Sequence, residues 1–426
     1  MRRVDSVPGI DILSHDVYAD GLPHAAYDEY RRTAPIAWVN ETAANRHDGR
    51  GFWAVTRCDD VVAIHKDWRT FSSEVGGTEI EELEPDAIVA RRTMLETDPP
   101  RHTRLRQLVN PPFSRATVQT YAAHASSLVD AVVADALDAC RAAEPIDAVS
   151  AIARELPIRM LTGLLGVPDD DAPMLFHWAD QIVYHADPEF SDAVVDHSDT
   201  DPYRLLPFRS ATSLRVFDYV ERMMAAKAGS DAGDVLSVLE RALIDGQPLT
   251  DRERGTFFLL LLIAGNETTR HSLTHALLAF ADNPDQLDRL REEPSLMDSA
   301  VEEVLRWACP QIHFRRTATT DTELRGVPIA AGDKVVTWYV AANFDPAEFV
   351  DPHRFDIGRS PNRHVTFGGG GPHLCLGQWM ARLEVRALLE GLVQRVGRVE
   401  RGGEIDRIRS NFINGVKRAP IMLTPR

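Results

Sequence analysis

A glycine-rich segment that ends in a cysteine is the strongest chemical signal in the sequence. It runs from Phe367 through four glycines, a proline and a histidine to Cys375 and Gly377, directly before a predicted amphipathic helix over 378–396. The glycines let the backbone turn tightly and approach a flat partner closely. A thiolate at a helix N-terminus is stabilised by unpaired N–H groups and by the helix dipole. This combination suits a sulfur ligand for a haem iron.

Two other interpretations of the glycine segment must be considered. A phosphate-binding loop of the Walker type needs a Gly-Lys-Ser/Thr sequence before its helix, and residues 367–377 contain no lysine. An ordinary turn beside a buried cysteine needs nothing more than the glycines themselves. The segment alone therefore favours haem ligation over a phosphate loop but leaves the simple turn open.

Three further segments have distinctive combinations of polar and charged residues. They are Ala264–Thr269 in the middle of a long predicted helix, Glu303–Arg306 on a helix ending before a proline, and Asp351–Phe355 shortly before the glycines. Together, and in this order, the segments resemble the motifs of the cytochrome P-450 family, the haem-thiolate monooxygenases. The resemblance extends from about Asp98 to the C-terminus.

One departure from the common family pattern narrows the resemblance. Phe367 lies eight positions before Cys375, whereas the family usually has seven. The extra glycine, Asn266 beside a glutamate and the pair Arg315-Arg316 are similar to bacterial members that oxidise sterol side chains, methyl-branched lipids and terpenoids. Of the arginine pair, Arg315 is expected to face solvent or the protein matrix. The extra residue leaves open how Phe367 lies over the sulfur.

The resemblance implies a haem b cofactor (iron protoporphyrin IX) whose iron is bound by Cys375. Haem carries two propionates, which need cationic or donor partners. His102 and Arg106 are four positions apart and therefore share one face of a helix. The resemblance implies that these two side chains bind a propionate together with Arg316 and His373.

Glu267 and Thr268 place polar groups inside an otherwise apolar helix. Judged from the residues alone, Thr268 could simply bond back to the carbonyl group of Ala264 and bend the helix. The resemblance implies that the same bend opens a groove for dioxygen and water. Thr268 would then hold them, and Glu267 would pass protons inward from solvent.

Two other side-chain pairs have weaker signals. Glu303 and Arg306 share a helix face, where such a pair is usually a solvated ion pair. The resemblance implies instead a buried network with Arg354 that maintains the fold and the haem pocket. His271 and His275, four apart on the long helix, are a poor zinc pair because no H-E-x-x-H motif frames them.

Composition restricts the class of protein. The chain has 426 residues, with 47 basic and 64 acidic side chains, and its net charge of −17 disfavours a nucleic-acid partner. Four cysteines, far apart in sequence, predict neither a disulfide framework nor a structural zinc site. The longest apolar run, Phe257–Ala264, is too short for a membrane span. With no signal-peptide core near Met1, we expect a cytoplasmic protein.

The elements that must position these residues are mostly helical. Thr250 and Glu253 form a capping-box pattern that begins a helix over 251–283, about 50 Å long at 1.5 Å per residue. Alternating apolar residues predict strands over 35–39 and 52–56, and a second strand region over 322–342. We therefore expect a mainly α fold with a small β region, arranged as one domain over residues 1–426. Its β-rich part lies at about 30–60, and the remainder is α-rich and binds haem.

The family resemblance also implies partners. We expect electrons from a separate ferredoxin and ferredoxin reductase, with NAD(P)H as the indirect donor. Dioxygen and an apolar small molecule would be the substrates, and the protein is expected to be a monomer. A cluster of arginines flanking the sulfur-side helices is either solvated charge or a docking patch for an acidic ferredoxin. These arginines are Arg101, Arg104, Arg382 and Arg386.

The substrate is the least determined part of the prediction. We expect a lipid-, steroid- or terpenoid-like molecule, with a polyketide or other secondary metabolite as the alternative. Two alternative functions remain. One is an enzyme of this fold driven by hydrogen peroxide, and the other is a haem-based sensor or carrier. Residues 180–213, called the lid segment below, are expected to cover the pocket. The candidate substrate contacts are Ile80, Leu83 and Ile88. The lid segment contains His185, His197, Tyr203, Leu205, Leu206 and Phe208, and the sequence leaves open which of them face the pocket.

Overall fold

The computed structural model describes residues 11–41, 51–141, 144–191, 193–196 and 198–426. Helices dominate these residues, and short strands form small sheets, so the predicted mainly α fold with a small β region is confirmed. The helices are α1 (His15–Ala19), α2 (His24–Thr33), α3 (Cys58–Lys66), α4 (Pro85–Arg91), α5 (Arg101–Val109), α6 (Arg115–Gln119), α7 (Ala122–Cys140), α8 (Glu155–Leu165), α9 (Ala172–Val183), α10 (Thr212–Ala226), α11 (Val235–Arg241), α12 (Asp251–Asp282), α13 (Pro284–Glu292), α14 (Met297–Ala308), α15 (Tyr339–Ala342) and α16 (Gln378–Arg395).

The strands are mostly short, and the larger sheet has five of them in the order β1-β2-β10-β7-β3. The strands are β1 (Ile36–Val39), β2 (Phe52–Val55), β3 (Phe71–Ser72), β4 (Ile146–Asp147), β5 (Leu243–Ile244), β6 (Gln247–Pro248), β7 (His313–Ala318), β8 (Thr322–Leu324), β9 (Val327–Ile329), β10 (Lys334–Trp338), β11 (Val396–Arg401), β12 (Asp406–Arg407), β13 (Val416–Arg418) and β14 (Pro420–Pro425).

The long helix α12 begins with the predicted capping box. The Glu253 backbone N–H donates to the Thr250 hydroxyl at 3.2 Å, and the Glu253 carboxylate accepts from the Thr250 backbone N–H at 2.9 Å. Its N-terminal half contributes Phe258 to one apolar cluster, and its C-terminal half contributes Phe280 to another. Because both halves are buried in different clusters, α12 crosses the molecule and carries its polar middle through the interior.

The strand predictions are confirmed for 35–39 and 52–56, which form the antiparallel pair β1 and β2. The region 322–342 is more divided than predicted. It makes the hairpin β8–β9, then β10, and it ends in the helix α15. The hairpin requires a left-handed turn, with φ of +51° at Arg325 and +78° at Gly326. The strand β10 pairs antiparallel with β7, and that pairing places Arg316 opposite Val335.

A buried ion network joins α14 to the chain that leads to the glycine loop. The Arg306 guanidinium donates to both carboxylate oxygens of Glu303, at 2.8 and 2.9 Å, and both side chains are fully buried. Arg359 completes the network, with its Nε 3.0 Å from the Glu303 carboxylate. The predicted third member, Arg354, is exposed and offers only its backbone carbonyl, because its neighbour Phe355 is the residue that turns into the core.

The two arginines should differ strongly when they are removed. Arg359→Ala removes one of the two guanidinium groups that bind the buried Glu303 carboxylate, so we expect a loss of about 1–3 kcal/mol of unfolding free energy. Arg354→Ala changes an exposed side chain, and its cost should be below about 0.5 kcal/mol. Thermal and urea unfolding of the two purified variants test this. Equal destabilisation would contradict the assignment of Arg359 to the network.

Candidate active site

A cavity of about 310 Å³ lies where α12 passes the glycine loop. Its wall includes Cys375, the polar residues at the middle of α12 and part of the lid segment. Most of the remaining wall is apolar. The apolar members include Leu83, Ile88, Met94, Leu161, Leu164, Leu259, Leu260, Ile263, Phe314, Leu374 and Leu376. Such a cavity excludes water and accepts a molecule that is mainly hydrocarbon.

The glycine loop holds Cys375 just before the first turn of α16. At Gly371 the backbone has a φ of +75°, and a Cβ there would lie 2.0 Å from the His65 carbonyl oxygen, so only glycine fits. The Cys375 backbone N–H donates to the Phe367 carbonyl at 3.0 Å, which closes the loop. Burial raises the pKa of the Cys375 thiol, while the N–H groups of Gly377 and Gln378 and the guanidinium of Arg106 lower it. These donors are placed to stabilise a thiolate that binds a metal.

The side chain of Phe367, whose position the sequence left open, packs against Arg382. The guanidinium carbon of Arg382 lies 4.5 Å from the centre of the Phe367 ring, and the guanidinium also donates to Glu302 on α14 at 2.6 Å. His364 donates to the same carboxylate at 3.0 Å. The loop is thus fastened to two helices through a cation–π contact and ion pairs.

Donor side chains converge on the cavity wall around His373. The ring centres of His373 and His102 are 4.0 Å apart, and both ring nitrogens of His373 are buried without a hydrogen-bond partner among the described residues. His102 Nε2 and Arg106 Nη1 both donate to the Pro372 carbonyl, at 2.9 and 3.3 Å. Burial, together with the nearby charge of Arg316, lowers the pKa of His373 well below its ordinary value.

These residues fit a haem with its two propionates. All four predicted partners (His102, Arg106, Arg316 and His373) line the same cavity as Cys375. An unsatisfied buried imidazole and buried guanidinium groups beside an apolar space need anionic acceptors to complete their hydrogen bonds.

His65, on α3, also contacts this group of residues, although no sequence motif indicates it. Its Nδ1 accepts from Arg316 at 3.0 Å, and its Nε2 lies 3.0 Å from the Thr337 hydroxyl and 3.1 Å from that of Tyr339. Arg315 is buried, as one of its two expected environments allowed. It donates to the Glu81 carbonyl at 2.9 Å rather than entering the cavity.

At the middle of α12, Thr268 and Glu267 both line the cavity. The Thr268 hydroxyl donates to the Ala264 carbonyl at 2.8 Å, which is the back-bond expected from the residues alone. Gly265 allows a close approach of α8, because a Cβ there would meet Leu161 at 3.0 Å. Thr268 therefore presents a hydroxyl oxygen toward the cavity within an apolar helix surface.

Glu267 belongs to a buried polar cluster that leads away from the cavity. Its carboxylate accepts from Asn266 Nδ2 at 2.6 Å and contacts the Tyr184 hydroxyl and the Arg270 guanidinium. Arg270 also pairs with Asp180 at 2.9 Å. Arg154, which is 36% exposed, lies 4.0 Å from Asp180. The cluster thus connects the cavity wall to the protein surface.

Burial raises the pKa of Glu267 well above its ordinary value, and Arg270 offsets only part of that effect. A raised pKa helps a carboxyl group to take up a proton before passing it on. Arg270 was within reach of sequence reasoning, since it lies one helix turn after Glu267. Tyr184 and Asp180 come from about 85 residues earlier in the chain, so no local pattern indicates them.

The two histidines that the sequence offered as a weak zinc pair have other contacts. His271 Nδ1 accepts from the Val416 backbone N–H at 3.3 Å, and its Nε2 is 2.7 Å from the Tyr184 hydroxyl. His275 Nε2 is 3.1 Å from the Asn414 carbonyl oxygen. Across the described ranges, no group of three or more His, Cys, Asp or Glu side chains is placed to hold a metal ion.

The predicted substrate contacts are placed unequally. Leu83, Ile88 and Phe208 line the cavity, whereas Ile80 packs into the apolar cluster at the sheet, so its prediction is wrong. The residue that enters the wall beside it is Glu79. Of the lid-segment residues named from the sequence, those outside the cavity wall are His185, Tyr203, Leu205 and Leu206. His197 lies outside the described residues.

The four arginines proposed as a docking patch all have acidic partners. Arg101 contacts Glu253, Arg104 contacts Asp245, and Arg386 contacts Asp298. Arg382 pairs with Glu302 as described above. Each arginine thus has an acidic partner, while the side chains of Arg101 and Arg104 stay 42% and 46% exposed. Along the part of the chain that is described, we find no helix with the length and apolar character that crossing a membrane requires.

An acidic residue without a hydrogen-bond partner also lies on α16. The Glu384 carboxyl group lines the cavity, is 2% exposed, and has an oxygen without a hydrogen-bond partner among the described residues. Burial raises its pKa well above the ordinary value. No motif singles it out in the sequence, because it occupies one position of an amphipathic helix.

Comparison with known proteins agrees with this geometry. The family model for cytochrome P-450 matches residues 69–406. A steroid C26-monooxygenase of Mycobacterium tuberculosis is 36% identical, over 98% of this chain and 94% of the relative. A methyl-branched lipid omega-hydroxylase of the same species is 36% identical, over 97% of this chain and 95% of the relative.

Solved structures show the same fold. A cytochrome P-450 of Mycobacterium marinum, solved in complex with pseudoionone, superposes with a TM-score of 0.87 at 32% identity, covering 99% of both chains. The protein OxyD, involved in the biosynthesis of vancomycin-type antibiotics, superposes with a TM-score of 0.82 at 30% identity. The chain therefore belongs to the cytochrome P-450 family and is a haem b monooxygenase.

Proposed function

We propose that this enzyme hydroxylates an elongated and mostly apolar molecule of the steroid or methyl-branched lipid class. The observation that carries the proposal is the apolar cavity that runs from Cys375 past Thr268 to the lid segment. The relatives at 36% identity are named for a steroid and for a methyl-branched lipid, and they match nearly the whole chain. In the reaction one atom of dioxygen enters a C–H bond and the other leaves as water, with two electrons and two protons consumed.

The haem, held by Cys375, supplies dioxygen activation, and electron donation from its thiolate ligand favours O–O cleavage. The chain contributes position and protons. Its apolar wall orients the substrate and keeps bulk water out. Arg316, His373, His102 and Arg106 would hold the propionates. The donors around Cys375 would help to stabilise its thiolate once the sulfur binds the iron.

Protons reach the cavity through Glu267. Its carboxyl group takes a proton from the buried cluster that ends near Arg154 at the surface and passes it toward Thr268. The Thr268 hydroxyl donates to Ala264, so its oxygen can accept a hydrogen bond from a water in the cavity. Protons thus enter from the surface one at a time by a defined route, while bulk water stays outside the cavity.

Electrons, in this proposal, come from NAD(P)H through a ferredoxin reductase and a ferredoxin. The protein would act as a monomer in the cytoplasm, where its four free cysteines stay reduced. The ferredoxin contact would include the partly exposed arginines Arg101 and Arg104 near the sulfur side.

The substrate proposal is tested by optical titration of the holoenzyme. We expect cholesterol or a methyl-branched alkane derivative to displace the water on the iron and shift the Soret band. Product analysis should then show one added hydroxyl group. A shift with macrolide or polyketide compounds and none with either lipid class would favour the alternative of secondary-metabolite tailoring. Binding without any turnover would favour a sensor or carrier.

Removing the threonine hydroxyl should uncouple the reaction. Thr268→Ala is expected to keep NAD(P)H consumption while product yield per NAD(P)H falls several-fold, because water in the cavity is no longer held in place. Ser272→Ala, whose hydroxyl donates to the Thr268 carbonyl, is a matched control on the same helix. An unchanged yield in Thr268→Ala would contradict the role assigned to its hydroxyl.

Removing the Tyr184 hydroxyl should disturb Glu267 without touching the cavity wall. Tyr184→Phe leaves a buried His271 N–H without its partner, at a cost of about 1–3 kcal/mol of stability. It also removes one hydrogen-bond donor to the Glu267 carboxylate, which should raise the pKa of Glu267. The pH above which turnover falls should therefore move upward. Tyr219→Phe, which loses a hydrogen bond to Asp171 away from the cavity, is the control. An identical pH profile in Tyr184→Phe and the wild type would refute this.

The ferredoxin contact has its own test. Arg104→Glu should slow ferredoxin-supported reduction several-fold at low salt, with the difference shrinking as ionic strength rises. Reduction by dithionite should stay unchanged. Arg398→Glu, on β11, is the control for a general change of charge. Equal rates for the two variants would remove Arg104 from the contact.

A further inference from the structure

Two polar side chains in the cavity wall have no part in the chemistry described above. Glu79 precedes α4 and is half-buried, and Arg91, at the end of α4, is 7% exposed. Both line the cavity among apolar neighbours that include Leu83 and Ile88. Polar groups in such a wall cost free energy unless they find hydrogen-bond partners.

Each of the two side chains has hydrogen-bonding capacity to spare. Arg91 donates from Nη1 to Glu81 at 2.7 Å and from Nε to the Arg204 carbonyl at 2.7 Å, but its buried Nη2 has no partner within the described residues. The Glu79 carboxyl group likewise has no hydrogen bond or ion pair to any described residue, although Arg91 is one of its charged neighbours.

The pair lies in a different part of the cavity from the sulfur. The charged neighbours of Glu79 are Glu81, Arg91 and Glu96, and Glu81 also contacts Arg209 of the lid segment. The charged neighbours of Cys375 are Arg106 and Arg382. Because Arg91 donates to the Arg204 carbonyl and Glu81 pairs with Arg209, both in the lid segment, the pair lies beside the lid segment.

The charge state of the pair selects among possible ligands. Burial and the neighbouring Glu81 raise the pKa of Glu79 to about 8, so its carboxyl group is mostly protonated at neutral pH. Arg91 is already neutralised by Glu81. An anionic ligand would find no uncompensated cation here, and an ammonium ligand would meet the guanidinium of Arg91. A neutral group that both donates and accepts a hydrogen bond fits best.

We propose that Glu79 and Arg91 form a specificity site for a hydroxyl group at the end of the substrate opposite the carbon that is oxidised. The hydroxyl oxygen accepts a hydrogen bond from Arg91 Nη2, and the hydroxyl O–H donates a hydrogen bond to the Glu79 carboxyl group. The substrate is then a monohydroxylated hydrocarbon that enters with its polar end toward the lid segment. This inference rests on the proposed function, because it assumes that the same cavity holds the substrate.

The test compares each alcohol with the hydrocarbon that lacks the hydroxyl group. The holoenzyme is titrated optically with cholesterol and its deoxy counterpart, and with pristanol and pristane. Wild-type enzyme should bind each alcohol about tenfold or more tightly than its hydrocarbon, as expected for one or two net hydrogen bonds. Glu79→Leu should weaken the alcohols by about the same factor while the hydrocarbons bind unchanged.

A matched control and the possible outcomes separate this inference from the proposed function. Glu84→Gln changes an exposed acid of the same stretch that lies outside the cavity wall, and it should keep the preference for alcohols. Equal binding of alcohols and hydrocarbons by the wild type, or a preference that survives Glu79→Leu, overturns the inference alone. Tighter binding of pristanic acid than of pristanol overturns the hydroxyl assignment. Failure of all these probes to bind contradicts the proposed substrate class as well.

Discussion

Charge that is buried must be paired, and this constraint organises the molecule around its cavity. Glu303, Arg306 and Arg359 satisfy one another and fix the chain that leads into the glycine loop. Arg382 and Glu302 fasten the loop from the other side. At the cavity wall the pairing stays incomplete at the ring nitrogens of His373, which leaves them free to bind a ligand.

Sequence reasoning reached the features that local patterns determine. The capping box at Thr250, the long helix and the helix after Cys375 follow from contacts within a few residues, and the structure has them almost to the residue. The residues that the family resemblance predicted to bind the haem all line one cavity. The prediction failed within one motif: Arg354 was expected in the buried network, but Arg359 occupies that place. The path of an irregular turn decides which arginine points inward.

The rest of the site depends on contacts between distant segments. His65 meets Arg316 across about 250 residues, and Tyr184 meets Glu267 across 83. Neither lies in a motif, so no spacing rule could indicate it. The prediction of substrate contacts failed at one position. Leu83 and Ile88 line the cavity as expected, but Ile80 faces the sheet, and the neighbouring acid Glu79 enters the cavity wall.

The contact between the lid segment and the stretch around α4 is made largely by charged groups. Arg204 pairs with Glu84 and Asp86, and Arg209 pairs with Glu81 and contacts Asp201. Dissolved salt screens such partly exposed ion pairs, so they should hold the lid segment against α4 less tightly as the ionic strength rises.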